Sequence, residues 1–108
     1  MEKYRNKRIV LDGIRFDSKK EAIRWAELRM LEKAGKISGL ERQVRFELIP
    51  AQYVGGRLKE RPCVYVADFR YLEGGKAVVE DTKGVKTPEY VIKRKLMLKI
   101  YGIAIKEV

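Results

Sequence analysis

The chain has 108 residues, 45% of them hydrophobic, and its 25 Lys and Arg against 15 Asp and Glu give a formal charge of +10. That length fits one domain with a modest core, and the charge favours a polyanionic partner, nucleic acid first. The absence of histidine excludes His-ligated metals, Ser-His triads and nucleases with a histidine base, so hydrolysis would have to run on carboxylates, lysine and a hard metal ion.

A lone Cys63 rules out an internal disulfide and fits a reducing cytosol, so a cytoplasmic location is expected. No apolar run is long enough for a bilayer, and MEKYRNKRIVLDG shows no secretory signal, so no membrane partner is expected.

Along the chain, RIVLDGIRF reads as two short strands around Asp12-Gly13, a two-residue hairpin signal. DSKKEAIRWAELRMLEKAG follows as a helix, with Ser18 as N-cap, Glu21 completing a capping box and Gly35 as the stop. Its apolar residues, including Ile23, Met30 and Leu31, spread round much of the circumference, as a helix packed broadly on a sheet requires. RQVRFELIPAQYV is strand-prone, alternating at Val44, Phe46 and Leu48, and GGRLKERP reads as a charged loop. CVYVADFRYL and KAVVEDTK form a second hairpin around Gly74-Gly75. Thr87 and Pro88 open a helix that runs to about Tyr101, Gly102 ends it, and IAIKEV closes the chain as a strand. The expected fold is a single α/β domain over 1–108 with a mixed sheet.

The stretch VVEDTKG places charges at the end of an apolar strand. Side chains alternate along a strand, so Asp81 and Lys83 share a face with Val79 while Glu80 points away in a structural role. A two-residue Gly74-Gly75 turn sets Asp68 directly across from Asp81, with Cβ atoms about 4.5–5.5 Å apart. Like charges so close call for a shared proton or a cation, and Mg²⁺ or Mn²⁺ suits the oxygen ligands. Lys83 is placed to hold a water or to stabilise charge growing on a phosphate. The bland alternative is a solvated hairpin end with a surface ion pair. Asp68 on a separate strand, with Val64, Val66, Val78 and Val79 as neighbours near the sheet interior, favours the functional reading.

With these residues the chain resembles the PD-(D/E)XK nuclease superfamily, and within it small phage and prophage members and Holliday junction resolvases. The matching residues are Glu21 in SKKE, Asp68 in VADF, and Asp81, Thr82 and Lys83 in VEDTKG; Ala67 stands where the family has proline. The resemblance implies an αβββαβ core flanked by helices and preceded here by the short N-terminal hairpin. It implies Asp68, Asp81 and Glu21 as metal ligands, with Lys83 assisting the attacking water. For Glu21 a purely capping role explains the spacing equally well, and Glu27 is the weaker candidate. A phage-encoded chain would act in the host cytoplasm.

For nucleic acid, Lys86 lies where a phosphate could approach, and Lys93, Arg94 and Lys95 form a basic run in the second helix, whose stripe of Tyr90, Arg94, Met97 and Tyr101 is otherwise apolar. Further basic clusters are Lys3, Arg5, Lys7 and Arg8, with Tyr4 nearby, and Arg57, Lys59 and Arg61, with Tyr53 nearby. The expected function is a Mg²⁺- or Mn²⁺-dependent DNA endonuclease, structure-selective on branched DNA and acting as a homodimer on four-way junctions. The alternatives are a nicking or restriction-type nuclease and a non-catalytic basic nucleic-acid binder.

Overall fold

The computed structural model describes residues 8–108. Strands β1 (Ile9–Leu11) and β2 (Ile14–Phe16) form the N-terminal hairpin. Asp12 and Gly13 both take positive φ, as the tight two-residue turn requires. Helix α1 (Lys19–Lys33) begins where the Ser18 hydroxyl accepts the Glu21 backbone N–H at 3.2 Å, and Gly35 in the left-handed region turns the chain away. Only half of the expected capping box is present, because the Glu21 carboxylate turns to Gln43 and Arg42 instead.

Strand β3 (Ser38–Ile49) is followed by β4 (Gln52–Val54) and β5 (Arg57–Glu60), which pair with each other alone. GGRLKERP is therefore not a loop: Gly55 and Gly56, both at positive φ, supply a hairpin turn that lets flanking charged residues extend. Strands β6 (Cys63–Glu73) and β7 (Lys76–Asp81) turn at Gly74-Gly75 in the predicted register, ending with Phe69 opposite Glu80. Helix α2 (Pro88–Tyr101) is capped by Thr87 and stopped by left-handed Gly102. The closing strand β8 is only Lys106–Glu107, lying parallel to β7; Ile103 and Ile105 pack into the core instead of pairing.

The result is a mixed α/β fold with a four-stranded sheet in the order β3-β6-β7-β8. Its two faces are defined by β7, where Val78 joins one cluster and its neighbour Val79 the other. On the α1 face, Ala22, Trp25 and Leu28 pack with Phe16, Ile37, Phe69 and Tyr71. On the α2 face, Tyr90 and Met97 pack with Leu48, Tyr65, Ala67 and Val79. Burying one such large side chain contributes about 1.5–3 kcal/mol. Helix α1 uses only this one stripe: Ile23 and Leu31 stay exposed and Met30 is 71% exposed, so its broad apolar girth is not matched by broad packing. No described helix is long and apolar enough to cross a membrane.

One irregularity of the sheet shapes its centre. Along β6, Tyr65 and Ala67 pack on the α2 face, yet Phe69 and Tyr71, of the same parity, pack on the α1 face. Strand β3 does the same: Arg42 lies over the Phe16 and Trp25 rings, whereas Phe46 and Leu48 join the α2 cluster. Between them Gln43 takes φ 53, and pairing lapses at the rung it shares with Asp68 although the register continues on either side. Both strands thus exchange faces together, as a bulge re-aims side chains near a site.

Candidate functional site

The next position beyond the Phe69–Glu80 rung brings Asp68 and Asp81 together. Asp81 is buried, and the Tyr65 hydroxyl donates to its Oδ2 at 2.5 Å. The Lys83 ammonium lies 3.6 Å from the same oxygen. Asp68 is held from the other side, its Oδ2 accepting from the Thr82 backbone N–H at 2.8 Å and the Thr82 hydroxyl at 2.7 Å. Burial pushes the Asp81 carboxyl up to about 7, and the hydrogen bond and charge of Asp68 push the same way against Tyr65 and Lys83. Val79, two residues before Asp81 on the same face, is buried, but Val66 is 46% exposed, because the exchange of faces turns it outward.

Glu21 reaches this centre from α1. It is buried, accepts from Gln43 Nε2 at 3.1 Å, and lies 3.8 Å from the Arg42 guanidinium. Burial raises it to about 7, with Asp68 adding to the rise and Arg42 opposing it. In a regular sheet a residue on the α1 face and one on the α2 face would be screened from each other. Asp68, at the switch point, is coupled to both Glu21 and Asp81.

Among the described residues no group of three or more Asp, Glu or Cys side chains forms a ready-made metal cage. The donor chemistry nevertheless fits a hard divalent cation. Mg²⁺ keeps several waters and needs only one or two carboxylates, which Asp68 and Asp81 can supply. Two carboxyls raised to about 7 around a third also mark a centre short of positive charge.

Lys83 lies 4.6 Å over the Tyr90 ring and, with Lys93, lines a cleft of about 260 Å³ that runs past Tyr65 and Val66. The other basic residues predicted to meet nucleic acid divide. Lys86 and Arg94 pair with Glu107 at 3.1 and 3.0 Å, and Tyr90 donates to the same carboxylate at 2.6 Å. Both are therefore largely committed within the protein. Lys95 is exposed, while Lys3, Tyr4, Arg5 and Lys7 lie outside the described residues. Tyr90 and Met97 carry the core stripe of α2, and Tyr101 caps it by donating to the Glu47 carbonyl at 2.6 Å.

Glu80, on the α1 face, receives two hydrogen bonds from Arg24, at 2.8 and 2.7 Å, and one from Tyr71. Burial opposes its charge, but these donors outweigh it and hold the carboxyl below its usual range. Glu27 is exposed and pairs with Arg24 at 3.1 Å, away from Asp68. Sequence reasoning gave no role to Gln43, Tyr65 or the Thr82 hydroxyl. Thr82 stood inside the quoted motif, but Tyr65 has the wrong parity to meet Asp81 on a regular strand, and nothing about Gln43 signals a left-handed backbone.

A family model described as "Protein of unknown function (DUF1064)" matches residues 1–106. No curated protein and no solved structure matches the chain.

Proposed function

The chain belongs to the DUF1064 family, whose description assigns no function, and from its site we propose that it is a metal-dependent DNA endonuclease. The observation that carries this reading is the half-buried Asp68 against the buried Asp81, with the Lys83 ammonium beside them. A purely structural site has no use for opposed carboxylates, which destabilise the fold unless protonated or bound to a cation.

In this reading Asp68 and Asp81 hold Mg²⁺ or Mn²⁺, and Glu21 supplements their charge from α1. The bound ion supplies an activated water and offsets charge on the phosphate oxygens. Thr82 and Tyr65 each fix one carboxylate, so little reorganisation remains when DNA arrives. Lys83 sits where its charge meets a water or a phosphate oxygen, while Tyr90 limits its range. Lys93 extends the positive side of the cleft. A branched, four-way DNA is the preferred substrate, since a homodimer would present two sites to two equivalent strands.

The test is cleavage of a four-way junction and a matched linear duplex with Mg²⁺ or Mn²⁺. Wild type should cut the junction preferentially, with Asp81→Asn and Lys83→Ala slowed at least about a hundredfold. Binding without cleavage of any DNA in either metal would sink the assignment.

A further inference from the structure

The β4–β5 hairpin is built to meet something outside the chain. Every residue of both strands is exposed, including Tyr53 at 64%, Val54 at 66% and Leu58 at 52%. A two-stranded hairpin on its own is marginally stable in water, so leaving its apolar side chains uncovered forgoes stabilisation it needs. The protein's shape agrees: its radius of gyration is 16.2 Å, against about 13 Å for a compact chain of this length, with extents of 52 × 45 × 24 Å.

We propose that this hairpin is an arm that grips the phosphate backbone of duplex DNA beside the cleft, about five base pairs from the Asp68–Asp81 centre. The inference rests on the nucleic-acid reading above and names where the duplex lies. Its first support is charge. Arg57, Lys59 and Arg61 are exposed and have no acidic partner within ion-pair distance among the described residues, whereas Lys86 and Arg94 are occupied by Glu107. The arm thus carries three such cations within five residues of chain, with Glu60 the one acid among them. The second support is the mixture of side chains. Tyr53 stands opposite Leu58, but Val54 stands opposite Arg57 and Gln52 opposite Glu60, so one apolar rung is flanked on both sides by rungs that carry charge. The core of a protein–protein interface is depleted of charge, whereas a basic ribbon two strands wide suits DNA.

The third support is continuity. Strand β6 leaves the arm at Cys63 and reaches Asp68 five residues later, about 17 Å at the rise of a strand. Over that path Val64, Tyr65 and Val66 line the cleft that holds Lys83 and Lys93. Phosphates of one DNA strand advance about 3.4 Å each along the helix axis, so an arm base about 17 Å along that axis falls about five nucleotides from the phosphate at the carboxylates.

The experiment measures metal-free binding of a labelled four-way junction and a 30-base-pair duplex across a salt series. It compares wild type, the triple variant Arg57→Ala, Lys59→Ala, Arg61→Ala, and a control with Lys33, Lys36 and Lys76 changed to alanine; all six positions are exposed. Circular dichroism and melting confirm folding. The arm variant should lose about one unit of salt slope per cation removed, close to three in all, and at least tenfold in affinity, with the control near wild type. Footprinting should show wild-type protection about five nucleotides from the cut that the arm variant lacks.

Equal slopes in wild type and arm variant, or an equal loss in the control, overturns the arm; so does a wild type that binds neither DNA. A second copy of the chain as occupant also overturns it, read as a sedimentation mass that halves in Tyr53→Asp/Leu58→Asp while the salt slope stays. Arm-dependent binding with no cleavage in Mg²⁺ or Mn²⁺ keeps the arm and removes the endonuclease. Cleavage with arm-independent binding does the reverse.

Discussion

Gln43 donates to the buried carboxylate of Glu21 at 3.1 Å from a backbone held at φ 53. That region costs a residue with a Cβ about 1–2 kcal/mol, and glycine very little. The strain lies at the rung where β3 and β6 exchange faces, so the same residue bends the sheet and steadies the acid that the bend brings to Asp68. Gln43→Gly and Gln43→Ala both lose the hydrogen bond, but only glycine relieves the backbone. The glycine variant should therefore be more stable than the alanine variant by about 1 kcal/mol in urea unfolding. The opposite order would mean that the left-handed turn is not a cost at this position.

Glu80 gives the clearest separation of stability from chemistry. It is fully buried on the α1 face, with Arg24 and Tyr71 as donors. Removing one partner of a buried pair typically costs about 3–5 kcal/mol. Glu80→Ala should lose stability on that scale, while Glu80→Gln, which keeps an acceptor for Arg24, should lose less and still cut DNA below its melting temperature. Loss of cleavage in folded Glu80→Gln would move this carboxylate into the reaction.

How far the residues foretold this arrangement depends on whether local rules decided it. The Asp12-Gly13 and Gly74-Gly75 turns, the Ser18 and Thr87 caps and the Gly102 stop act over a few residues, and all are as expected. The Asp68–Asp81 pairing was legible for the same reason, since a two-residue turn sets the register. The β4–β5 hairpin was missed because its Gly55-Gly56 signal is flanked by charged residues that read as loop. The part Tyr65 plays at Asp81 was hidden more deeply. Strand alternation assigns it to the wrong face, and only the tertiary switch at Gln43 and Asp68 reverses that. That Lys86 and Arg94 share a carboxylate partner was not legible, because only the fold brings Glu107 on β8 alongside them.

The raised carboxyls give a specific pH signature without metal. Glu21 and Asp81, both lifted to about 7 from ordinary values of 4.5 and 3.8, keep protons in the fold that the unfolded chain releases. Stability must then fall as pH rises between about 4 and 7, by several kcal/mol, and level off above. Glu107 acts oppositely: its carboxyl is lowered to about 2 by Tyr90, Arg94 and Lys86, so its contribution is complete above 4.5 and fades below. The metal-free protein should therefore be most stable near pH 5, by urea unfolding across pH 3–9. The double variant Glu21→Gln/Asp81→Asn should flatten the fall toward pH 7. A wild type more stable at pH 8 than at pH 5 would show that these carboxyls ionise without penalty.

Above pH 7 the centre carries its full negative charge, and a divalent cation becomes the remaining means of relief. Binding to the folded state alone stabilises by about 2.7 kcal/mol at a hundredfold excess over the dissociation constant. For a domain of this size that corresponds to a rise of about 10 °C or more in melting temperature. Mg²⁺ or Mn²⁺ should raise the wild-type midpoint strongly at pH 8 and weakly at pH 5.5, where protons occupy Glu21 and Asp81. Asp68→Asn should lose most of the gain at pH 8, because it removes the carboxylate common to both halves of the centre. Lys83→Ala, which withdraws a competing positive charge 3.6 Å from Asp81, should keep the gain or enlarge it. A midpoint that ignores both metals at both pH values, or rises equally in Asp68→Asn, places the cation somewhere other than these carboxylates.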